Sequence, residues 1–107
     1  MCGIAGFYAP HKTQNNDDIV RIEGMLDRIT HRGPDAKGVW ADEKNNGLVL
    51  GHRRLSIIDL TETGAQPMIS HSGRYVISYN GEIYNTDYLL KTLRQDGYTD
   101  EMNGTSD

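Results

Sequence analysis

The only cysteine of the chain is Cys2, so no internal disulfide can hold the fold together. The 107 residues must instead close around one small hydrophobic core, which sets the expectation of a single domain over residues 1–107. The position of the cysteine adds a second constraint. It stands directly behind Met1 and opens the small-residue run Gly3-Ile4-Ala5-Gly6. Removal of Met1 would leave Cys2 with a free α-amine beside its own thiol, so that one residue held both a nucleophile and a base. The plainer reading of a lone cysteine at a strand start is a small, half-buried apolar side chain.

Charge narrows the partners. The formal net charge is −4, and beyond Arg94 the chain carries only the acidic residues Asp96, Asp100, Glu101 and Asp107. That balance argues against nucleic acid as a partner. No apolar run approaches the roughly 20 residues that span a bilayer, and the start lacks the basic and apolar regions of a signal peptide. The chain therefore reads as cytoplasmic, with no membrane partner. Neither Gly-x-x-x-x-Gly-Lys-Ser/Thr nor Gly-x-Gly-x-x-Gly, the loops that cradle phosphates, occurs. His31 and His52, taken with Asp35 or Asp59, fit no standard zinc spacing, so no metal is expected. His31 reads as support for a turn.

Hydrophobic periodicity orders the elements. Gly3 to Ala9 reads as a strand ended by Pro10-His11. Asn15, Asn16, Asp17 and Asp18 are N-cap residues for a helix whose apolar face is Ile19, Ile22, Leu26 and Ile29. Gly38 to Ala41 and Leu48 to Leu50 read as short strands, joined by the hairpin signal Asn45-Asn46-Gly47. Leu55 to Leu60 continues extended or turns, and Thr61 to Pro67 is a loop. A strand about Ile69 turns at His71-Ser72-Gly73 into a strand over Arg74 to Tyr79, ended by Asn80-Gly81. Asn85 caps a last helix with Leu89, Leu90 and Leu93 inward and Gly97 as its stop. Tyr75, Tyr79, Tyr84 and Tyr88 read as core and pocket wall. Strand, helix, mostly antiparallel strands, helix is an α+β order.

Two further segments can carry chemistry. At Asn80-Gly81 a side-chain amide and a backbone N–H can converge on an oxyanion, although Asn-Gly is also an ordinary turn. In His52-Arg53-Arg54-Leu55, strand alternation turns one guanidinium into a pocket and the other toward solvent. A planar guanidinium suits a carboxylate because its fork binds both oxygens. Two surface charges are the commoner use of such a pair.

The chain resembles the glutaminase domain of glutamine-dependent asparagine synthetases, a branch of the class II glutamine amidotransferases. The resemblance rests on Met1-Cys2-Gly3-Ile4-Ala5-Gly6, His31-Arg32-Gly33-Pro34-Asp35, Arg54-Leu55-Ser56-Ile57-Ile58-Asp59, Gly64-Ala65-Gln66-Pro67-Met68, Asn80-Gly81-Glu82-Ile83-Tyr84-Asn85 and Gly104-Thr105-Ser106-Asp107, in that family's order. Amidotransferases acting on cell-surface sugars share the domain type.

The resemblance implies an N-terminal nucleophile hydrolase fold, an αββα sandwich of stacked antiparallel sheets between helical layers. It implies glutamine as substrate and Cys2 as nucleophile. Asn80 and the Gly81 N–H would form the oxyanion hole. Arg54 would hold the glutamine α-carboxylate and Asp107 the α-ammonium, with Glu82 lining the same end. Backbone groups at Leu55 and Ile58 would add hydrogen bonds. The implied reaction releases ammonia, leaves a γ-glutamyl thioester on Cys2, and ends with hydrolysis to glutamate. ATP and magnesium are implied only for the synthetase domain that follows in the family, so no cofactor is expected in these residues. Family glutaminase domains continue about as long again past the point matching Asp107. The expectation is therefore an incomplete sandwich whose open edges favour self-association or a partner chain. The alternative function is a non-catalytic or partner-dependent domain that binds glutamine or another amidotransferase chain.

Overall fold

A central strand organises what the computed structural model describes, residues 1–10, 16–44, 47–56 and 62–98. Strands β1 (Gly3–Tyr8), β2 (Ala36–Ala41) and β3 (Leu48–Arg54) form an antiparallel sheet in the order β1-β3-β2. His52 of β3 lies opposite Ile4 on one side and Gly38 on the other. A strand paired along both edges loses solvent along its whole backbone, so β3 stays regular through residues that are not apolar.

Helix α1 (Asn16–Arg28) covers one face of this sheet. Its Ile22 and Leu26 meet Val49 in the buried core, with Ala5, Phe7, Met25, Ile29, Val39 and Ala41 packed around them. Gly51 lets the helix approach: a Cβ there would lie 2.9 Å from Leu26 Cδ1 and 3.0 Å from Ile22 Cγ1. Val49 and Gly51 thus face α1, and alternation puts Arg53 on that face and Leu50, His52 and Arg54 on the other. At the rim, Lys37 of β2 pairs with Glu23 and, at 3.6 Å, with Asp27, and these acids raise its ammonium above the usual lysine range. The Arg21 guanidinium sits 5.1 Å from the Phe7 ring centre.

A 3₁₀ turn over Glu62–Gly64 leads into a two-stranded antiparallel hairpin of β4 (Met68–Ile69) and β5 (Val76–Ile77). Gly73, at φ 73°, turns it. Helix α2 (Thr86–Gln95) follows. The architecture is α+β. Among the described residues no helix is long and apolar enough to cross a membrane.

Several expectations change. β3 runs to Arg54 rather than stopping at Leu50, because its two neighbours pair with the polar end as well. β2 begins at Ala36, two residues early, for the same reason. The strand expected over Arg74 to Tyr79 shrinks to Val76–Ile77, since its ladder partner among the described residues is two residues long. Ile19 is exposed, and Met25, absent from the expected apolar face, packs against the core. Helix α2 buries none of its residues, so Leu89, Leu90 and Leu93 do not face a core. Asn85 stands at its N-cap without a side-chain cap bond. Tyr75, Tyr84 and Tyr88 are exposed, Tyr84 at 93%, and are not core; only Tyr79 is half-buried. Gly97 does end the helix, at φ 91°, with Tyr98 N–H returning to the Leu93 carbonyl at 3.0 Å. Gly47 has φ 67°, while Asn45 and Asn46 of the hairpin signal lie outside the described residues, as do Asn15 and Asp59.

Candidate active site

The N-terminus and the end of β3 meet because β1 runs antiparallel to β3, with Gly3 opposite Arg53. Cys2 is therefore carried beside the residues just past the strand. Its half-buried Sγ accepts the Leu55 N–H at 3.3 Å and lies 3.7 Å from the Leu55 carbonyl. The Arg32 Nε–H donates to the Cys2 carbonyl at 3.3 Å. Arg32 ends a 3₁₀ turn over Thr30–Arg32, which turns the chain from α1 toward β2. Asp35 then brackets the strand end: its N–H donates to the Arg54 carbonyl at 3.0 Å, and its Oδ2 accepts the Ser56 N–H at 2.7 Å. Residues of the His31–Asp35 break thus fix both Cys2 and the Arg54-Leu55-Ser56 segment.

Three consecutive polar residues of β3 are buried, His52 at 1%, Arg53 at 9% and Arg54 at 8% exposure. This corrects the expectation that one arginine meets solvent. Alternation separates the two as expected, but the second face is covered too, with Ile29 and Arg32 lying over Gly3, the partner of Arg53. Arg53 Nε is buried there with no hydrogen-bond partner. Arg54 lies on the other face against Gly64, where a Cβ would strike its guanidinium. Burial pushes the His52 imidazole below the ordinary histidine range; a bond to the Tyr79 carbonyl opposes this, and the nearby Arg54 charge adds to it.

The segment carrying Asn80 and Gly81 is tied to the same face of β3. His52 Nε2 lies 3.1 Å from the Tyr79 carbonyl, and Ser78 Oγ donates to the Gly51 carbonyl at 3.2 Å. The Tyr79 N–H donates to Gln66 Oε1 at 2.6 Å. Asn80 is half-buried, and Gly81 and Glu82 are exposed. Cys2 meets Leu55, the residue after Arg54, directly, whereas Asn80 and Gly81 are linked to β3 only through the bonds of the preceding Ser78 and Tyr79. Ile58 and Asp107 lie outside the described residues. Among the described residues no three metal-ligating side chains cluster.

Residue spacing alone missed His52, weighed only as a metal ligand, and Gln66. The sequence signal available for Gln66 was its place in the Gly64-to-Met68 stretch, and nothing in the pattern pointed to its partner.

Comparison with known proteins bears on this arrangement. A family model described as a glutamine amidotransferase domain matches residues 1–107. The glutamine-hydrolyzing asparagine synthetase 3 of Bacillus subtilis is 40% identical over 109 residues, covering 100% of this chain and 17% of that protein. Glutamine-hydrolyzing asparagine synthetase 1 of the same organism is 43% identical over 100 residues, 92% of this chain and 15% of that protein. Amidase chyE of Penicillium rubens is 37% identical over 116 residues, 100% of this chain and 16% of that protein. The chain spans less than a fifth of the length of these curated relatives.

Proposed function

The chain belongs to the glutamine amidotransferase domain family, and on that premise we propose that residues 1–107 are the N-terminal portion of a glutaminase domain of the N-terminal nucleophile hydrolase type. Its reaction is hydrolysis of the glutamine side-chain amide, as the ammonia-producing part of an asparagine synthetase-like amidotransferase. The observation that carries this reading is the Leu55 N–H aimed at Cys2 Sγ from 3.3 Å, one residue past the buried Arg54.

In this mechanism Met1 is removed and the Cys2 α-amine takes the thiol proton as sulfur attacks the γ-carboxamide carbon. The carbonyl electrons move onto oxygen, and the Asn80 side-chain amide and Gly81 N–H donate to that oxyanion. A donor of this kind is worth about 2.7–4 kcal/mol of transition-state stabilisation. The intermediate collapses, the nitrogen takes the proton from the α-ammonium, and ammonia leaves a γ-glutamyl thioester. Water attacks the thioester, its proton passes to the α-amine, the C–S bond breaks to release glutamate, and the α-ammonium returns the proton to the leaving sulfur, restoring the thiol and the free amine. Arg54 holds the substrate α-carboxylate and Asp107 its α-ammonium; Glu82 lines that end, and backbone at Leu55 and Ile58 adds hydrogen bonds. The identities of 40% and 43% to asparagine synthetases support asparagine synthesis as the use of the ammonia. The reading assigns no cofactor to residues 1–107 and places its chemistry in the cytoplasm.

A glutamine-like diazo-ketone tests the nucleophile. It should add mass only to the N-terminal peptide of chain lacking Met1, and Cys2→Ser should lower glutamine turnover by about a hundredfold or more, since an alcohol is far less acidic than a thiol. Equal labelling of chain that retains Met1 would rule out the free amine as base.

A further inference from the structure

The backbone of Tyr79, the residue before Asn80, is held at both its N–H and its carbonyl. The Tyr79 carbonyl accepts from His52 Nε2 at 3.1 Å, and the Tyr79 N–H donates to Gln66 Oε1 at 2.6 Å. β5 ends at Ile77, so among the described residues Tyr79 takes no ladder bond from a neighbouring strand. The two side chains substitute for one. Their placement follows from the sheet. Gly38 is directly opposite His52, so both positions face the same way. The Gln66 carbonyl rests on the bare Gly38, where a Cβ would collide with it. Gly38, Gln66, His52 and Tyr79 therefore form one stack on the face that also holds Arg54. His52 is almost wholly buried and its neutral imidazole, protonated at Nε2, is the donor that a carbonyl needs.

We propose that His52 and Gln66 are positioning residues that clamp the Tyr79 backbone at its carbonyl and its N–H and thereby aim Asn80 and Gly81 at the oxyanion. This rests on the role given above to Asn80 and Gly81. The role given to each acts through the backbone: His52 bonds the carbonyl of the peptide that carries the Asn80 nitrogen, and Gln66 the N–H of the peptide before it. The donors matter only when charge appears on the carbonyl oxygen, so loosening them lowers kcat and leaves ground-state binding alone. A displacement near 1 Å can reduce rate roughly a hundredfold.

The test compares Gln66→Leu, Gln66→Glu and His52→Gln with the parent chain in steady-state glutamine hydrolysis, alongside hydrogen exchange at the Tyr79 and Gly81 amides. Gln66→Leu keeps the size and loses the acceptor; kcat should fall about 10- to 100-fold with KM within about threefold. Gln66→Glu retains an acceptor oxygen and should recover most of the loss. His52→Gln retains an N–H donor and should be milder than Gln66→Leu. Exchange at Tyr79 should quicken in Gln66→Leu and not in Gln66→Glu. An active parent with Gln66→Leu within twofold in kcat, or altered in KM alone, overturns the positioning role while the glutaminase reading stands. A parent that hydrolyses no glutamine overturns that reading and the catalytic part of the proposal with it. The exchange rates then still decide the clamp, and unchanged protection in Gln66→Leu overturns it too.

Discussion

Arg53 and Arg54 are adjacent, chemically identical and almost equally buried, yet they stand in different surroundings. Arg54 shares its face with His52, lies under Gly64, and precedes the Leu55 amide that meets Cys2. Arg53 lies on the α1 face, with its Nε unpaired. Of the two, Arg54 is the one to which the proposed function gives the substrate carboxylate. Arg54→Ala should raise KM for glutamine about 10- to 100-fold, the worth of a charged hydrogen bond of roughly 1.5–3 kcal/mol. Arg54→Lys should recover little, because a point charge does not replace the bidentate fork. Arg53→Ala should leave KM near the parent value and lower stability instead, by about 1–3 kcal/mol, by emptying space under α1. Steady-state kinetics with urea unfolding on the three variants separates these effects; a KM change in Arg53→Ala larger than in Arg54→Ala would reverse the assignment. Alternation made the opposed facing of the pair legible in the sequence. The burial of both was not, because it depends on a second face that is also covered, a tertiary fact that a dipeptide does not carry.

At the scale of elements, β3 joins the core to the site, and His52 makes the strand sensitive to acid. Its folded-state pKa is lowered, first by burial, and the Arg54 charge acts in the same direction against the Tyr79 carbonyl. A base with a depressed folded pKa contributes its full share above the unfolded value, near 6.5. As pH falls below that value the unfolded chain binds the proton first, and stability is lost until the folded pKa is reached. Tm should therefore drop between pH 7.5 and pH 5.5, and His52→Gln should flatten that part of the profile. Equal slopes in the two proteins would show that other groups govern the window. Sequence periodicity found α1 because Ile22 and Leu26 recur on one face and meet Val49. It underestimated β3, whose His52-Arg53-Arg54 end is extended only because β1 and β2 pair with it. It overestimated the strand at Arg74 to Tyr79, where β-forming residues outnumber available partners and side-chain bonds from His52 and Gln66 take over. The site was readable where the chain itself carries its neighbours together, as in Arg54-Leu55. Cys2, Leu55 and Asp35 are joined by strand pairing across distant sequence, which no local pattern shows.

For the whole molecule, the balance of buried and exposed apolar groups leaves a small core. Ile22, Leu26 and Val49 are the fully buried hydrophobic side chains among the described residues, while Ile4, Met68, Ile69, Ile77, Leu89 and Leu93 remain exposed. Leu89 and Leu93 stand four residues apart on α2, at 40% and 44% exposure, and so line one face of a helix that buries none of its residues. Each such side chain gains roughly 1.5–3 kcal/mol when it is taken fully out of water. Removing several at once favours contact between copies over isolation in water, and short unprotected edges such as β4 and β5 add to that tendency. Sedimentation equilibrium should give an average mass that rises with concentration above the 12.0 kDa of one chain. Leu89→Lys with Leu93→Lys should lower that association, since two charges on the apolar face of α2 must be desolvated for it to be covered. The double variant should leave the α1–β3 core, and hence far-ultraviolet circular dichroism, close to the parent. A mass fixed at one chain across the concentration range, with a sharp cooperative thermal transition, would mean that so small an apolar core and the sheet suffice to hold this fold alone.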